Sequence, residues 1–156
     1  MDVPWRKRIR LPASAYLDPD RFWHVTISTE NRAARVFADA GFAREAVAMI
    51  AERCRVRGAI LEIYCLMPDH AHLLVRVERD GLVQVMADVK SLTTRLWWKH
   101  GGEGVLWQRS FYDRGIRTER EYDEAVTYII ENPIRAGLVE DWRDYPFIGG
   151  TLLAEE

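Results

Sequence analysis

Two histidines separated by one residue, His70 and His72, are the side chains best suited to do chemistry in this sequence. They open an apolar, β-branched stretch that is typical of a strand. Side chains alternate between the two faces of a strand, so both imidazoles point to one face and Ala71, Leu73 and Val75 point to the other. Imidazoles are common ligands of divalent metals, and this pattern indicates a metal clamp anchored in the core. Two ordinary surface histidines are the alternative interpretation, and the spacing leaves both open.

A tyrosine and an asparagine further along the chain offer the other half of a site. The apolar stripe of the third predicted helix is formed by Tyr122, Val126, Ile129 and Ile130. Tyr128 lies about 200° around the helix from Val126 at ~100° per residue, and Asn132 follows one turn later on the same side. If that side faces the histidine strand, the set comprises two imidazoles, an amide oxygen and a potential nucleophile. A chance surface aromatic is the alternative for Tyr128.

The elements that position these residues follow from hydrophobic periodicity. The sequence predicts strands over 21–29, 59–67, 70–78 and 105–116, and helices over 42–57 and 81–100. A capping box, Thr118 with Glu121, opens the third helix, and Pro133 stops or kinks it. The fold class is α+β: a ferredoxin-like β-α-β-β-α-β antiparallel sheet with two helices on one face, plus a C-terminal helix carrying Tyr128. The first and third strands are neighbours in that plan, so His24 could lie near the histidine pair. The alternative is that His24 only fills space on the polar face of the sheet.

The size and composition fit a single globular domain. The chain has 156 residues, 48% hydrophobic and 29% charged. We divide it into a basic irregular arm (1–20), a core with the tyrosine helix (21–147) and a tail (148–156). The sequence shows no membrane-length apolar run and no signal peptide, which predicts a cytoplasmic protein with no membrane partner. Cys54 and Cys65 are expected to be buried free thiols.

The distribution of charge says more about partners than the net charge of -2 does. Residues 1–120 carry 20 Lys/Arg against 15 Asp/Glu, whereas residues 121–156 carry 2 against 9. The body is therefore mildly basic, as expected of a protein that contacts phosphates. The candidate DNA-binding residues are the arm residues Arg6, Lys7, Arg8 and Arg10, and Lys90, Arg95 and Lys99 on the outer side of the second helix.

Several of these stretches together resemble a known family. Residues 67–72, Met-Pro-Asp-His-Ala-His, look like the HUH motif (His, hydrophobic, His) of single-strand DNA transposases. The runs 106–113, 128–139 and 141–147 resemble the REP-associated tyrosine transposase branch of insertion-sequence-like enzymes. The resemblance extends from about Trp5 to Phe147.

That resemblance implies roles for particular residues. His70 and His72 match the two metal ligands and Tyr128 matches the catalytic tyrosine, while Asn132 stands where related enzymes carry a glutamine as third ligand. The implied activity is nicking and strand transfer on single-stranded or hairpin DNA through a 5′-phosphotyrosine intermediate. The implied cofactor is Mg²⁺ or Mn²⁺, and the implied setting is a bacterial-type, nucleoid-associated protein, with a homodimer as a further partner.

Two other functions are weighed against this one. A non-enzymatic ferredoxin-like nucleic-acid-binding module, a domesticated relative, would bind DNA and have no use for Tyr128. A zinc hydrolase is disfavoured because no carboxylate or third His or Cys stands at ligand spacing near His72. No general base is identified from the sequence, and Glu121 and Glu124 are its weak candidates.

Overall fold

The computed structural model describes residues 21–154. The predicted arm (1–20), with Arg6, Lys7, Arg8 and Arg10, and the last two residues of the tail therefore lie outside the described residues. The helices are α1 (Ala40–Val56), α2 (Leu82–Lys99) and α3 (Glu119–Arg135). The strands are β1 (Phe22–Ser28), β2 (Ala59–Met67), β3 (His70–Val77), β4 (Tyr112–Ile116) and β5 (Ile148–Gly149).

The strands form one antiparallel sheet in the order β4-β1-β3-β2-β5. The first four strands have the ferredoxin-like order, so the predicted fold class is confirmed, and β1 and β3 are the central neighbours that it requires. β2 and β3 form a hairpin that turns at Pro68 and Asp69, with Met67 paired to His70. Thr26 pairs with His72 across β1 and β3.

One face of the sheet is covered by α1 and α2. Trp23, Val25 and Ile27 of β1, and the alternate residues of β3 from Ala71 to Val77, are buried there. Both helices present apolar residues at helical spacing to this face, including Ile50 of α1. The predicted inward faces of β1 and β3 are therefore correct. Among residues 21–154 no helix is both long and apolar enough to cross a bilayer.

The opposite face is covered by α3 and is apolar along only part of its length. Ala125 and Ile129 pack on β2, β3 and β4 in a second, smaller core. A register irregularity between Leu61 and Ile63 in β2 turns Ile63 toward α3, although Leu61 packs in the larger core on the other side. Beyond this smaller core, toward the end of β1 and the start of β3, the α3 side of the sheet becomes polar.

Two predicted boundaries are wrong. The fourth strand covers residues 112–116 rather than 105–116, because residues 105–111 form a loop that pairs with the end of β1 only through an isolated bridge between Thr29 and Trp107. In that loop the Lys90 ammonium donates to the carbonyl oxygens of Gln108 (2.6 Å) and Arg109 (3.2 Å). Pro133 does not end α3, which continues to Arg135. So close to the helix end, its missing N–H removes only one hydrogen bond from the last turn.

Both cysteines are buried free thiols, as predicted. Cys54 lies between α1 and the sheet, and Cys65 lies on the α3 side of β2. Burial raises the pKa of each thiol to about 12, so both remain neutral and unreactive at physiological pH.

Candidate active site

An open cleft of about 1040 Å³ lies where β1 ends and β3 begins. His70, His72, Tyr128 and Asn132 all line this cleft. The structure thus brings together the four residues singled out in the sequence, two from a strand and two from a helix more than fifty positions later. The pairing of β1 with β3 and the packing of α3 on the sheet produce this meeting.

His72 is held on one side of its ring by two neighbours from β1. Its Nδ1 atom lies 3.1 Å from Nε2 of His24 and 3.1 Å from Oγ1 of Thr26. All three side chains are buried, with His72 only 2% exposed. Because these contacts occupy Nδ1, the atom of His72 available to a ligand is Nε2.

His70 is held in the same way by a carboxylate. Its Nδ1 atom lies 2.7 Å from Oδ1 of Asp69, and Nε of Arg32 donates to the other carboxylate oxygen at 2.9 Å. The hydrogen bond from His70, with the Arg32 ion pair, holds the pKa of Asp69 well below its usual range. Nε2 is again the free ring nitrogen. The two rings stand edge to face, with centroids 4.9 Å apart.

Tyr128 packs directly on this histidine group. Its ring centroid lies 5.4 Å from that of His72 and 5.9 Å from that of His24. The Arg135 guanidinium lies 4.0 Å from the centroid of the Tyr128 ring and donates to the Tyr128 carbonyl oxygen at 2.7 Å. The tyrosine is therefore held between imidazoles and a cation, with Asn132 one turn further along α3.

The position of Tyr128 on the helix differs from the prediction. It does not lie opposite the sheet-facing side, because that side is formed by Ala125, Ile129 and Asn132, with Tyr128 at its edge. The apolar stripe of the sequence does not define the whole buried side of α3. The helix packs on a surface that is apolar at one end and polar at the other, so the residue it buries at the polar end is an asparagine. Tyr128 and Asn132 nevertheless line the same cleft as the histidine pair, so the condition that the sequence left open is met.

The buried histidines are neutral at physiological pH. Burial, with a smaller contribution from the nearby positive charge of Arg114, lowers the pKa of His24 from 6.5 to about 4. Burial, followed by the charges of His24 and His70, lowers the pKa of His72 in the same direction. A neutral imidazole retains the lone pair that a metal ligand needs.

The donor set of two imidazoles and one amide could hold a divalent metal and would leave coordination positions open. Two Nε2 atoms and the amide oxygen of the buried Asn132 are neutral ligands that do not fill a coordination shell. Residues 21–154 contain no group of three or more His, Cys, Asp or Glu side chains suited to hold a metal. His24 does not complete such a group, because its Nε2 atom is directed at His72.

Three arginines of the cleft were not predicted from the sequence. Arg32, Arg35 and Arg135 line it, whereas Asp69 is the only acidic residue among its described lining residues. Arg35 adopts a left-handed backbone conformation with φ of 46°, which is uncommon for a residue with a side chain and often marks a functional site. The position of Arg135, about one helical turn after Asn132, could have indicated that it faces the same side of α3. No sequence pattern indicated that Arg32 and Arg35 reach the cleft.

The described candidate DNA-binding residues lie elsewhere. Lys90, Arg95 and Lys99 belong to α2, which covers the other face of the sheet. Lys90 holds the 105–111 loop, while Arg95 and Lys99 are exposed. Their role in DNA binding stays a prediction.

The two weak base candidates are engaged at the start of α3. Glu121 accepts from the backbone N–H of Arg117 while its own N–H donates to Thr118, and Glu124 pairs with Arg120. Thr118 is therefore the N-cap, as predicted, but the capping box is incomplete because the Glu121 carboxylate accepts from Arg117 instead of from Thr118. Neither carboxylate is among the described residues that line the cleft.

The fold and the cleft define a class: a ferredoxin-like domain in which a His-x-His strand faces a tyrosine on the helix after the fourth strand, α3. The model of the family described as "Transposase IS200 like" matches residues 21–132, and the chain belongs to this family. The resemblance noted in the sequence is thereby confirmed.

Individual relatives agree with this assignment. The chain is 30% identical over 95 residues to a protein of Haemophilus influenzae assigned to the REP-associated tyrosine transposases, an alignment covering 53% of this chain and 54% of the relative. The chain thus spans about half the length of that relative. The REP-associated tyrosine transposase of Escherichia coli is 24% identical over 128 residues, 80% of this chain and 73% of the relative.

Solved structures share the fold. A REP-associated tyrosine transposase bound to a REP hairpin superposes with a TM-score of 0.72 at 23% identity, covering 92% of this chain and 82% of that one. A Deinococcus radiodurans protein assigned as a transposase gives a TM-score of 0.52 at 20% identity, covering 69% and 87%.

Proposed function

We propose that this protein is a metal-dependent enzyme that nicks and rejoins single-stranded DNA at a hairpin through a 5′-phosphotyrosine intermediate. The observation that carries the proposal is the contact of Tyr128 with His72 in an open cleft, at 5.4 Å between ring centroids. A nucleophile and two free metal-binding nitrogens thus lie where a strand can enter.

The metal site would be formed by Nε2 of His70, Nε2 of His72 and the amide oxygen of Asn132. When bound, Mg²⁺ or Mn²⁺ supplies positive charge that polarises the scissile phosphate. The protein orients the two imidazoles through His24, Thr26 and Asp69. Such outer contacts fix which ring nitrogen faces the site.

Tyr128 performs the covalent step. Its phenol oxygen loses its proton to water in the cleft and forms a bond to phosphorus, while the bond from phosphorus to the 3′ oxygen breaks. The departing 3′ oxygen takes a proton and becomes a free 3′-OH, and the 5′ phosphate stays on the tyrosine. A 3′-OH from the same or another strand reverses the step, so joining needs no external energy source.

Arg135 supports that step from the other side of the tyrosine. Its guanidinium, 4.0 Å from the centroid of the Tyr128 ring, is attracted to the ring and restricts its orientation. As a permanent cation it also favours negative charge on the phenol oxygen and on the phosphate beside it.

The proposed substrate is a DNA hairpin with a single-stranded flank. A structural relative was solved bound to a REP hairpin, and the cleft here is basic at its described rim, where Arg32, Arg35 and Arg135 can contact phosphates. A homodimer remains a prediction.

The test is a covalent-adduct assay. The full chain is incubated with Mn²⁺ and labelled single-stranded hairpins, including palindromes that flank its own gene, and denatured adducts are resolved by electrophoresis. The wild type should form an adduct and Tyr128→Phe should form none, because phenylalanine has no nucleophilic oxygen.

Tyr112→Phe is the matched control, since Tyr112 also lines the cleft and should be dispensable for the adduct. An adduct that survives Tyr128→Phe and is lost in Tyr112→Phe would contradict the assignment. Hairpin binding by a wild type that forms no adduct with any of these hairpins would instead favour the nucleic-acid-binding module.

A further inference from the structure

Two of the four histidines of the chain line the cleft, and a third, His24, contacts His72 without being among the described lining residues. His24 lies on β1, pairs with Leu74 of β3 and Arg114 of β4, and is 6% exposed. Its Nε2 atom lies 3.1 Å from Nδ1 of His72. A histidine that only filled space at this position would not need to direct a ring nitrogen at another ring nitrogen.

The contact between two neutral imidazoles restricts where their protons can be. One nitrogen must donate and the other must accept. If Nδ1 of His72 carries the proton, His24 Nε2 accepts it and the lone pair of His72 Nε2 faces the cleft. If His24 Nε2 carries the proton instead, His72 holds its own proton on Nε2 and cannot bind a metal there.

We propose that His24 is a positioning residue of the metal centre, which accepts the Nδ1–H of His72 and thereby holds His72 Nε2 as a ligand. The inference rests on the proposed metal site of the preceding section. Its counterpart at His70 is Asp69, a carboxylate that can only accept while ionised. The two metal-binding histidines are therefore positioned by different groups. The charged carboxylate of Asp69 holds His70 at the exposed edge of the cleft, and the neutral imidazole of His24 holds His72 in its buried wall.

Thr26 does not replace His24 in this role. Its hydroxyl also lies 3.1 Å from Nδ1 of His72, but a hydroxyl can donate as readily as it accepts. With threonine alone, His72 can hold its proton on either nitrogen. His24 holds the metal-binding tautomer of His72 when its own proton resides on Nδ1, away from His72, and this is the proton arrangement that the proposal requires.

The first test measures Mn²⁺ binding to the full chain by electron paramagnetic resonance, with no DNA present. His24→Leu should weaken Mn²⁺ binding by about 10- to 100-fold, the range seen when outer-shell partners of metal ligands are removed. His24→Gln, whose amide oxygen can accept the same proton, should recover most of the affinity. His100→Leu, a histidine paired with Glu45 away from the cleft, is the matched control and should bind as the wild type does.

The second test reads the tautomers directly. Imidazole ¹⁵N shifts of the wild type are followed as Mg²⁺ is added. Nδ1 of His72 should be the protonated nitrogen and Nε2 of His24 the unprotonated one, both before and after Mg²⁺ is added. A proton on Nε2 of His24, with the proton of His72 on its own Nε2, would contradict the positioning role.

The outcomes separate this inference from the function on which it rests. If His72→Ala binds Mn²⁺ as tightly as the wild type, the metal site itself is wrong and the role of His24 is wrong with it. If His72→Ala loses affinity while His24→Leu keeps it, or if Nε2 of His24 carries the proton in the metal-bound protein, the positioning role alone is overturned.

Discussion

The two faces of the sheet are formed by the same strands but have different roles. On the α1 and α2 side, Trp23, Val25 and Ile27 are 0–1% exposed and purely apolar. On the α3 side, the intervening residues His24 and Thr26 are also buried, but each makes a hydrogen bond to His72. Burial alone therefore does not distinguish core from site in this protein.

The difference lies in what each face requires of a side chain. The apolar face depends on filled volume, because its stability comes from removing hydrocarbon from water. The polar face depends on direction, because a buried imidazole is tolerated only when its nitrogens find partners. Substitutions on the two faces should consequently affect different measurements.

The largest expected effect is that of His70→Ala on chemistry. Loss of a metal ligand removes several kcal/mol of transition-state stabilisation, so the rate of adduct formation should fall about a thousandfold or more. Thermal unfolding should change little, because His70 is only half-buried at the rim of the cleft. A variant that retains the rate of adduct formation but unfolds at a much lower temperature would show that His70 contributes to stability and not to the chemistry.

The neighbouring face should respond in the opposite way to Leu73→Ala. Leu73 is fully buried under α1 and α2, and its truncation should lower the free energy of unfolding by about 2–5 kcal/mol. Chemical denaturation measures this loss. At a temperature where the variant remains folded, its adduct rate should stay near that of the wild type, and a large loss of rate would show that the two faces are coupled.

A smaller effect should appear in the dependence of stability on pH. The pKa of His24 is about 4 when folded and near 6.5 when unfolded, so the unfolded chain binds more protons between these values. Stability is therefore fully present above pH 6.5 and decreases as the pH falls toward 4, and His72 shifts in the same direction. Melting temperatures in EDTA should fall by several degrees over this range, and less steeply in His24→Gln. If the melting temperature of that variant fell equally steeply with pH, His24 would not contribute to the pH dependence of stability.

Much of this arrangement could be predicted from local sequence. Alternation in β1 and β3 predicts which residues face the core, and the order of elements predicts the sheet that joins them. The histidine pair and Tyr128 were found because their types and spacing are unusual for their elements.

The remaining features depend on contacts between distant residues. The bond of His24 to His72 needs the β1–β3 register, which no local pattern specifies. The loop in place of the first part of the fourth strand is held by the Lys90 ammonium of α2, which donates to two loop carbonyls, and by backbone hydrogen bonds to the end of β1. Arg32 and Arg35 belong to a short irregular segment without periodicity, and only the folded chain brings them to the cleft.

The most direct test of the proposed function identifies the residue that carries the DNA. The trapped adduct is digested with protease and nuclease, and the peptide with the residual 5′ nucleotide is sequenced by mass spectrometry. The proposal predicts the nucleotide on Tyr128, in the peptide that ends at Arg135 after trypsin cleavage. A nucleotide on Tyr112, or on any residue other than Tyr128, would contradict it.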